Sequence, residues 1–231
     1  VRVLGAADEA TEKMRSYKSG RSGVLRLGFV DSASYDVLPR FLSHYAAEYP
    51  EVDYELRTLS SDEQHQALID REIDLGIARA VRAGSGLTAT PFVDEPLLVA
   101  VSDSNALASR KTMWLRELTR ERLIGFDRGV SPSLFSELAQ LFGAADVDYD
   151  PIIEATEYAT VLGLVASGQG LAVVPASVQS FRPPGLTYVR LRDARARSSL
   201  MLLNREDETS LLIAHATDVV SQLFGSRTSN S

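Results

Sequence analysis

The order of apolar and polar positions along the chain predicts strands and helices in alternation. Val24–Val30 is an apolar run with the length of a buried strand, and Leu38, Phe41, Leu42, Tyr45 and Tyr49 then recur at helical spacing as far as Pro50. Pro39 fits that helix only in its first turn, where a missing N–H costs nothing. Val52, Tyr54, Leu56 and Thr58 alternate with polar residues as a half-buried strand does. Ser61-Asp62-Glu63-Gln64 has the form of a capping box opening a second helix, and Leu75–Ala78 is a short third strand. A βαβαβ order of this kind calls for parallel strands joined by right-handed crossovers.

The same alternation continues in what reads as a second unit. Leu97–Val101 leads into it, Leu123–Phe126 is a strand, and Ser131-Pro132 is a favourable helix start because proline is pre-set for the first helical position. Ile152–Ala155 is another strand, and Tyr158, Val161, Leu162 and Val165 form a helix stripe. Ser167-Gly168-Gln169-Gly170 lies between that helix and the strand Leu171–Val174, the wrong order for a phosphate-cradling turn and the right one for a glycine helix cap. Leu186–Leu191 and Leu200–Leu203 are later strands, and a final helix runs from about Thr209 to Phe224. Segments near Phe92–Pro96 and Arg192–Ser198 would cross back, returning the last strand and helix to the first unit. At the front, Ala6, Ala10, Met14 and Tyr17 share one face of a short helix, the stub of a linker whose stripe needs a partner.

The expected fold class is therefore α/β, two Rossmann-like subdomains joined by two crossover strands. Residues 20–95 and 197–225 form the first subdomain, 96–196 the second, 1–19 the remnant of a linker helix and 226–231 a tail.

Composition narrows the chemistry. A net charge of -7 makes the chain a poor binder of nucleic acid on its own surface. The absence of cysteine removes thiolate catalysis, disulfides and Cys-ligated zinc, and the three histidines (His44, His65, His215) lack metal-ligand spacing. No apolar run approaches the roughly 18–20 residues that span a bilayer, and the first residues form no secretory core. No nucleophile elbow or Ser/His/Asp set is present, so neither catalytic residues, nor a metal, nor a cofactor is expected.

The stretch Glu72-Ile73-Asp74-Leu75-Gly76-Ile77-Ala78-Arg79 puts a guanidinium where a buried strand stops. Carboxyl ends of strands border the ligand crevice in open α/β sheets, and the arginine fork matches a carboxylate. The plainer alternative is a surface arginine or an ion pair with Asp70 or Asp74. Three serine-bearing strand-to-helix turns accompany it: Asp31-Ser32-Ala33-Ser34, Ser60-Ser61 and Ser131-Pro132-Ser133. Serine caps helices routinely, and the open amides of a helix start also bind anions. Trp114 is expected to pack on a short helix, and Glu157 to complement the dipole of the helix that follows it.

An ordered series of motifs then carries a resemblance. Val24-Leu25-Arg26-Leu27-Gly28-Phe29-Val30 leads to Leu38-Pro39, followed by Tyr49-Pro50-Glu51-Val52, Asp74-Leu75-Gly76-Ile77 and the run Leu164-Val165-Ala166-Ser167-Gly168-Gln169-Gly170-Leu171-Ala172-Val173-Val174-Pro175. In this series the chain resembles, over about residues 20–224, the effector-binding domain of LysR-type transcriptional regulators. Arg79 after Gly76-Ile77-Ala78, the Pro132-Ser133 turn and Val174-Pro175-Ala176-Ser177-Val178-Gln179-Ser180 narrow the match to the muconate- and benzoate-responsive regulators of aromatic catabolism, including catechol degradation.

The resemblance implies a periplasmic-binding-protein-like fold that senses rather than catalyses. Its inducer is a small carboxylate, cis,cis-muconate or a related acid, held in the cleft between subdomains. The matching positions are Ser32, Ser34, Ser60, Ser61, Arg79, Pro132, Ser133 and Leu134, with Arg79 dominating affinity and its replacement by alanine leaving the fold intact. Two positions depart from the pattern: a larger aromatic is frequent where Leu134 stands, and a smaller aliphatic residue is expected where Tyr158 stands. The resemblance further implies a cytoplasmic homodimer or tetramer that meets promoter DNA through a winged helix-turn-helix absent from this chain, with RNA polymerase among its partners. On that reading the chain is a fragment and its front helix the end of the family's linker. A periplasmic solute-binding protein for a small organic acid is the rival with the same two-lobed architecture.

Overall fold

The computed structural model describes residues 11–79 and 86–225. Helix α1 occupies residues 11–18; Met14 and Tyr17 of its expected stripe are exposed, while Ala6 and Ala10 lie outside the described residues. Strand β1 (Ser22–Phe29) is flanked by two parallel neighbours, β2 (Glu51–Thr58) and β3 (Leu75–Ala78). Helices α2 (Val37–Glu48) and α3 (Ser61–Ile69) supply the crossovers, and Pro39 falls in the first turn of α2. A 3-10 turn at Asp31–Tyr35 separates β1 from α2. As the edge strand, β2 buries Val52 but leaves Leu56 exposed, so the alternation marks a weaker burial than expected.

Strand β4 (Leu87–Ser102) passes from the first lobe to the second through Phe92–Pro96, the expected crossover strand, and it is longer than the expected Leu97–Val101. Its ladder carries a β-bulge opposite Leu200 and Met201, where Phe92 is left without a register partner. Its first part pairs antiparallel with β10 (Arg197–Arg205), itself longer than the expected Leu200–Leu203. From Leu97 onward it pairs instead with β8 (Ala172–Pro175) and β9 (Leu186–Leu191). Among the described residues the long sheet therefore runs β2-β1-β3-β10-β4-β9 and ends on β5 (Thr112–Met113), with β8 also against β4.

The core divides at the same point of β4. Leu25, Leu27, Phe41, Tyr45 and Phe92 pack with α6 (Leu211–Phe224) on one side, and Leu68, Ile73 and Leu203 form a smaller group beneath α3. On the other side, Leu97, Val99, Met113, Leu115 and Phe142 form one cluster, and Leu98, Ile124, Phe126, Val161 and Val174 another. Helices α4 (Pro132–Gly143) and α5 (Tyr158–Ala166) and the small parallel pair β6 (Ile124–Phe126) and β7 (Ile153–Ala155) complete this second lobe. Gly168 takes φ +78° just past α5, the cap geometry that glycine allows at no steric cost. Trp114 is not packed on a helix as expected: it precedes a 3-10 turn, Leu115–Arg120, and stays partly exposed. No helix of the described residues is long and apolar enough to cross a membrane.

Candidate functional site

The Asp74-Leu75-Gly76-Ile77 motif positions the site without entering it. Asp74 accepts two hydrogen bonds from Arg26, at 2.9 and 2.8 Å, and one from Arg205 at 3.3 Å, which locks the start of β3. Gly76 is small because Gln64 of α3 lies against it: a Cβ there would stand 2.7 Å from Gln64 Oε1. Gln64 is fully buried and donates to the carbonyls of Leu59 and Ile77, pinning α3 over the carboxyl end of β3. The capping box is real but one residue earlier than expected. Ser60 is the cap, paired with Glu63, which leaves Ser61 in the helix and its Oγ accepting from the Arg79 N–H at 2.9 Å.

Arg79 therefore arrives at the strand end as read from sequence, but it is 3% exposed and already engaged. Its Nε donates to Ser32 Oγ at 2.9 Å, and its Nη2 donates to Glu95 of β4. The partner is neither Asp70 nor Asp74. Glu95, itself buried, also accepts from the N–H and Oγ of Ser177. Arg79 Nη1 is buried with no hydrogen-bond partner, and so is Glu137 Oε2 on α4. Burial pushes the Glu137 carboxyl above its usual range, opposed only in part by the nearby Arg79 charge and the Ser198 hydroxyl.

A cavity of about 230 Å³ opens beside these groups. Ser32, Ser60, Ser61 and Arg79 line it from the first lobe, Leu134 and Tyr158 from the second. Val30 and Phe126 add apolar wall, and Asp31, Asp62, Glu63 and Glu157 add carboxylates. Three expected positions stand aside from the lining. Ser34 turns its hydroxyl back to the Asp31 carbonyl at 2.6 Å, Pro132 only opens α4, and Ser133 is taken by Asp62. Tyr158 is buried edge-on between Phe126 and Tyr35, and burial holds its hydroxyl well above the ordinary tyrosine range.

The helix starts of the second lobe are not open. Ser133 donates to the Asp62 carboxylate through its N–H at 3.2 Å and its Oγ at 2.7 Å. The Tyr158 N–H, first in α5, donates to Asp31 Oδ2 at 2.7 Å. Glu157, expected to serve that helix end, makes no side-chain cap; the carboxylate comes from the other lobe instead. Burial raises the pKa of Asp31, and the Tyr158 amide partly offsets it. Two carboxylates of the first lobe thus clasp two helix N-termini of the second, where the dipole favours negative charge. By contrast the amides of Ser61 and Asp62, first in α3, have no intrahelical acceptor, and both residues line the cavity. Among the described residues no group of His, Asp or Glu side chains could hold a metal ion.

A two-lobed α/β fold with a cavity between its lobes is the class these features define. The model of the LysR substrate binding domain matches residues 18–224, and the chain belongs to that family. It is 30% identical over 196 residues to the HTH-type transcriptional regulator AlsR of Bacillus subtilis, covering 85% of this chain and 65% of that protein. It is 28% identical over 226 residues to the regulator BenM of Acinetobacter baylyi, covering 97% of this chain and 74% of BenM. The chain thus spans about two thirds to three quarters of the length of these relatives. The effector-binding domain of BenM with its effector benzoate superposes with a TM-score of 0.80 at 27% identity, over 90% of this chain and 95% of that one. A BenM effector-binding-domain variant gives 0.82 at 28%, over 89% and 96%. The relatives are transcriptional regulators rather than enzymes, which does not favour the solute-binding rival.

Proposed function

We propose that this chain is the effector-sensing domain of a LysR-type transcriptional regulator, and that a small carboxylate bound in the cleft is its signal. The observation that carries the reading is the cavity in which a buried arginine, one nitrogen of its fork unpartnered, shares a wall with the open start of α3. A charge-assisted hydrogen bond contributes roughly 1.5–3 kcal/mol there, and a helix terminus about 0.3–1 kcal/mol. Ligand contacts to both lobes favour their closed arrangement, and that differential affinity is the signal. The size of the cavity suits benzoate, the effector of BenM in its solved complex, and also cis,cis-muconate, the inducer expected from the resemblance. In the full-length protein the readout would be promoter DNA, bound by paired helix-turn-helix domains of a cytoplasmic dimer or tetramer and acting on RNA polymerase at catabolic genes. The relatives' designation as HTH-type regulators supports this part.

Calorimetric titration with benzoate, cis,cis-muconate and amino-substituted aromatic acids tests it. Saturable binding of at least one acid is expected, abolished by Thr156→Trp, which fills the cavity from an exposed position. Binding by none of them, or binding unaffected by the tryptophan, would refute the site.

A further inference from the structure

Where β4 passes between the lobes, a buried polar cluster joins the cleft to α4. Glu95 and Ser198 are direct partners in the β4–β10 ladder, so their side chains leave the same face of the sheet. Glu95 pairs with Arg79, and Ser198 Oγ donates to Glu137 Oε1 at 3.4 Å, which brings a second carboxylate to the side on which the guanidinium lies. Two atoms of the cluster are left over: Arg79 Nη1 and Glu137 Oε2 are both buried without a hydrogen-bond partner. Glu95 accepts from Arg79 and from the N–H and hydroxyl of Ser177, whereas Glu137 has the long Ser198 contact on one oxygen and nothing on the other. The other charges around α4 are turned elsewhere. Asp62 of α3 is bonded to Ser133, Arg128 lies over the Phe135 ring at 3.9 Å, and Arg197, beside Ser198, is paired with Asp94. Tyr149 packs on Phe135 and Phe142.

Two carboxylates therefore share one guanidinium, and a ligand carboxylate at Arg79 Nη1 makes a third. A desolvated cluster with surplus negative charge favours the neutral form of its least-bonded acid. Burial already lifts the Glu137 carboxyl above its usual range, and the Arg79 charge opposes that lift; a ligand anion on Arg79 cancels the opposition. We propose that Glu137 is a positioning residue of the effector site, which takes a proton from solvent as a ligand carboxylate engages Arg79 and so leaves the fork free for it. The inference rests on the cleft being the effector site, as proposed above, and adds the regulation of that site by pH. In the free chain Glu137 is ionised above its own titration, so binding there requires proton uptake and affinity falls as pH rises. Below that titration the carboxyl is already neutral, and affinity stays level. Asp31 is the rival proton acceptor, a cavity-lining carboxyl whose pKa burial also raises.

Calorimetric titration of benzoate and cis,cis-muconate in buffers of different ionisation enthalpy reads the proton directly, because both acids stay ionised from mildly acidic to mildly alkaline pH. Wild type should take up a substantial fraction of a proton per bound acid on the alkaline side and none on the acid side. Glu137→Gln, isosteric with the protonated residue, should abolish the uptake. It should also bind about tenfold tighter than wild type on the alkaline side and match it on the acid side. The wild-type measurement needs no variant, so it stands whether or not the glutamine chain folds. Binding without proton uptake at any pH would overturn the inference and leave the cleft assignment standing. Uptake retained in Glu137→Gln and removed by Asp31→Asn would overturn it equally, by assigning the proton to Asp31. Binding of neither acid, or binding that Thr156→Trp leaves unaffected, would overturn the cleft itself and the inference with it.

Discussion

Arg79 is a buried cation with one partner too few, and that single fact governs how the residue can be tested. The expectation that alanine leaves the fold intact does not survive the burial of Glu95. Removing one member of a buried pair strands the other charge, at a cost of about 3–5 kcal/mol. Arg79→Met should lower stability by that order in urea unfolding, and Arg79→Met with Glu95→Gln should recover most of it, since glutamine still accepts from Ser177. Equal stability of the single and double variants would mean the pair is not a unit. Glu137 behaves oppositely. Its pKa is raised in the folded chain, so the folded state binds more protons than the unfolded one between the ordinary carboxylate range and the raised value, and stability falls as pH rises through that window. Glu137→Gln should therefore unfold at a higher temperature than wild type at neutral pH, with the gain vanishing on acidification below the usual glutamate pKa. A constant gain at all pH values would exclude this cause.

At the scale of elements, β3 and α3 form the rigid platform of the cleft, and their fit rests on a glycine. Gly76→Ala would push a methyl into Gln64 Oε1 and Leu203, and overpacking of this kind costs typically about 1–3 kcal/mol, readable in denaturant midpoints. An unchanged midpoint would mean that α3 is free to shift. The clasp between lobes is an element-level contact as well: α3 reaches α4 through Asp62, and the turn before α2 reaches α5 through Asp31. Asp62→Ala should increase hydrogen exchange at the first turn of α4 with β3 unaffected. These contacts explain what the sequence could and could not disclose. Helical spacing located α2 and α5 because each buries one regular face, β1 and β3 were legible as apolar runs because they are buried on both faces, and Arg79 was legible because it ends such a run. The capping box was misplaced by one residue because Ser60 and Ser61 satisfy the same pattern, and only the packing of Gln64 decides between them. Glu95 was missed because an acidic residue in a presumed crossover gives no periodic signal. Its burial follows from β4 being continuous across both lobes. Nor can spacing show that Ser133 is taken by a carboxylate distant by 71 positions.

At the scale of the whole molecule, two lobes share β4 and meet again across the cavity. Asp62–Ser133, Asp31–Tyr158 and Ser180–Tyr35 hold them together. A clasped chain of this kind changes state only through a ligand that binds one arrangement better than the other, by typically about 1–3 kcal/mol of coupling. Such a ligand also raises the unfolding temperature in proportion to its occupancy, by mass action. The most direct measurement is a calorimetric titration of the tightest-binding acid of the series, on wild type and on the fold-preserving variant Arg79→Met with Glu95→Gln. The account predicts affinity reduced about tenfold or more in the variant, the loss of a charge-assisted contact. Undiminished affinity, in a variant shown by its unfolding curve to be folded, would contradict the claim that Arg79 grips the effector's carboxylate between the lobes.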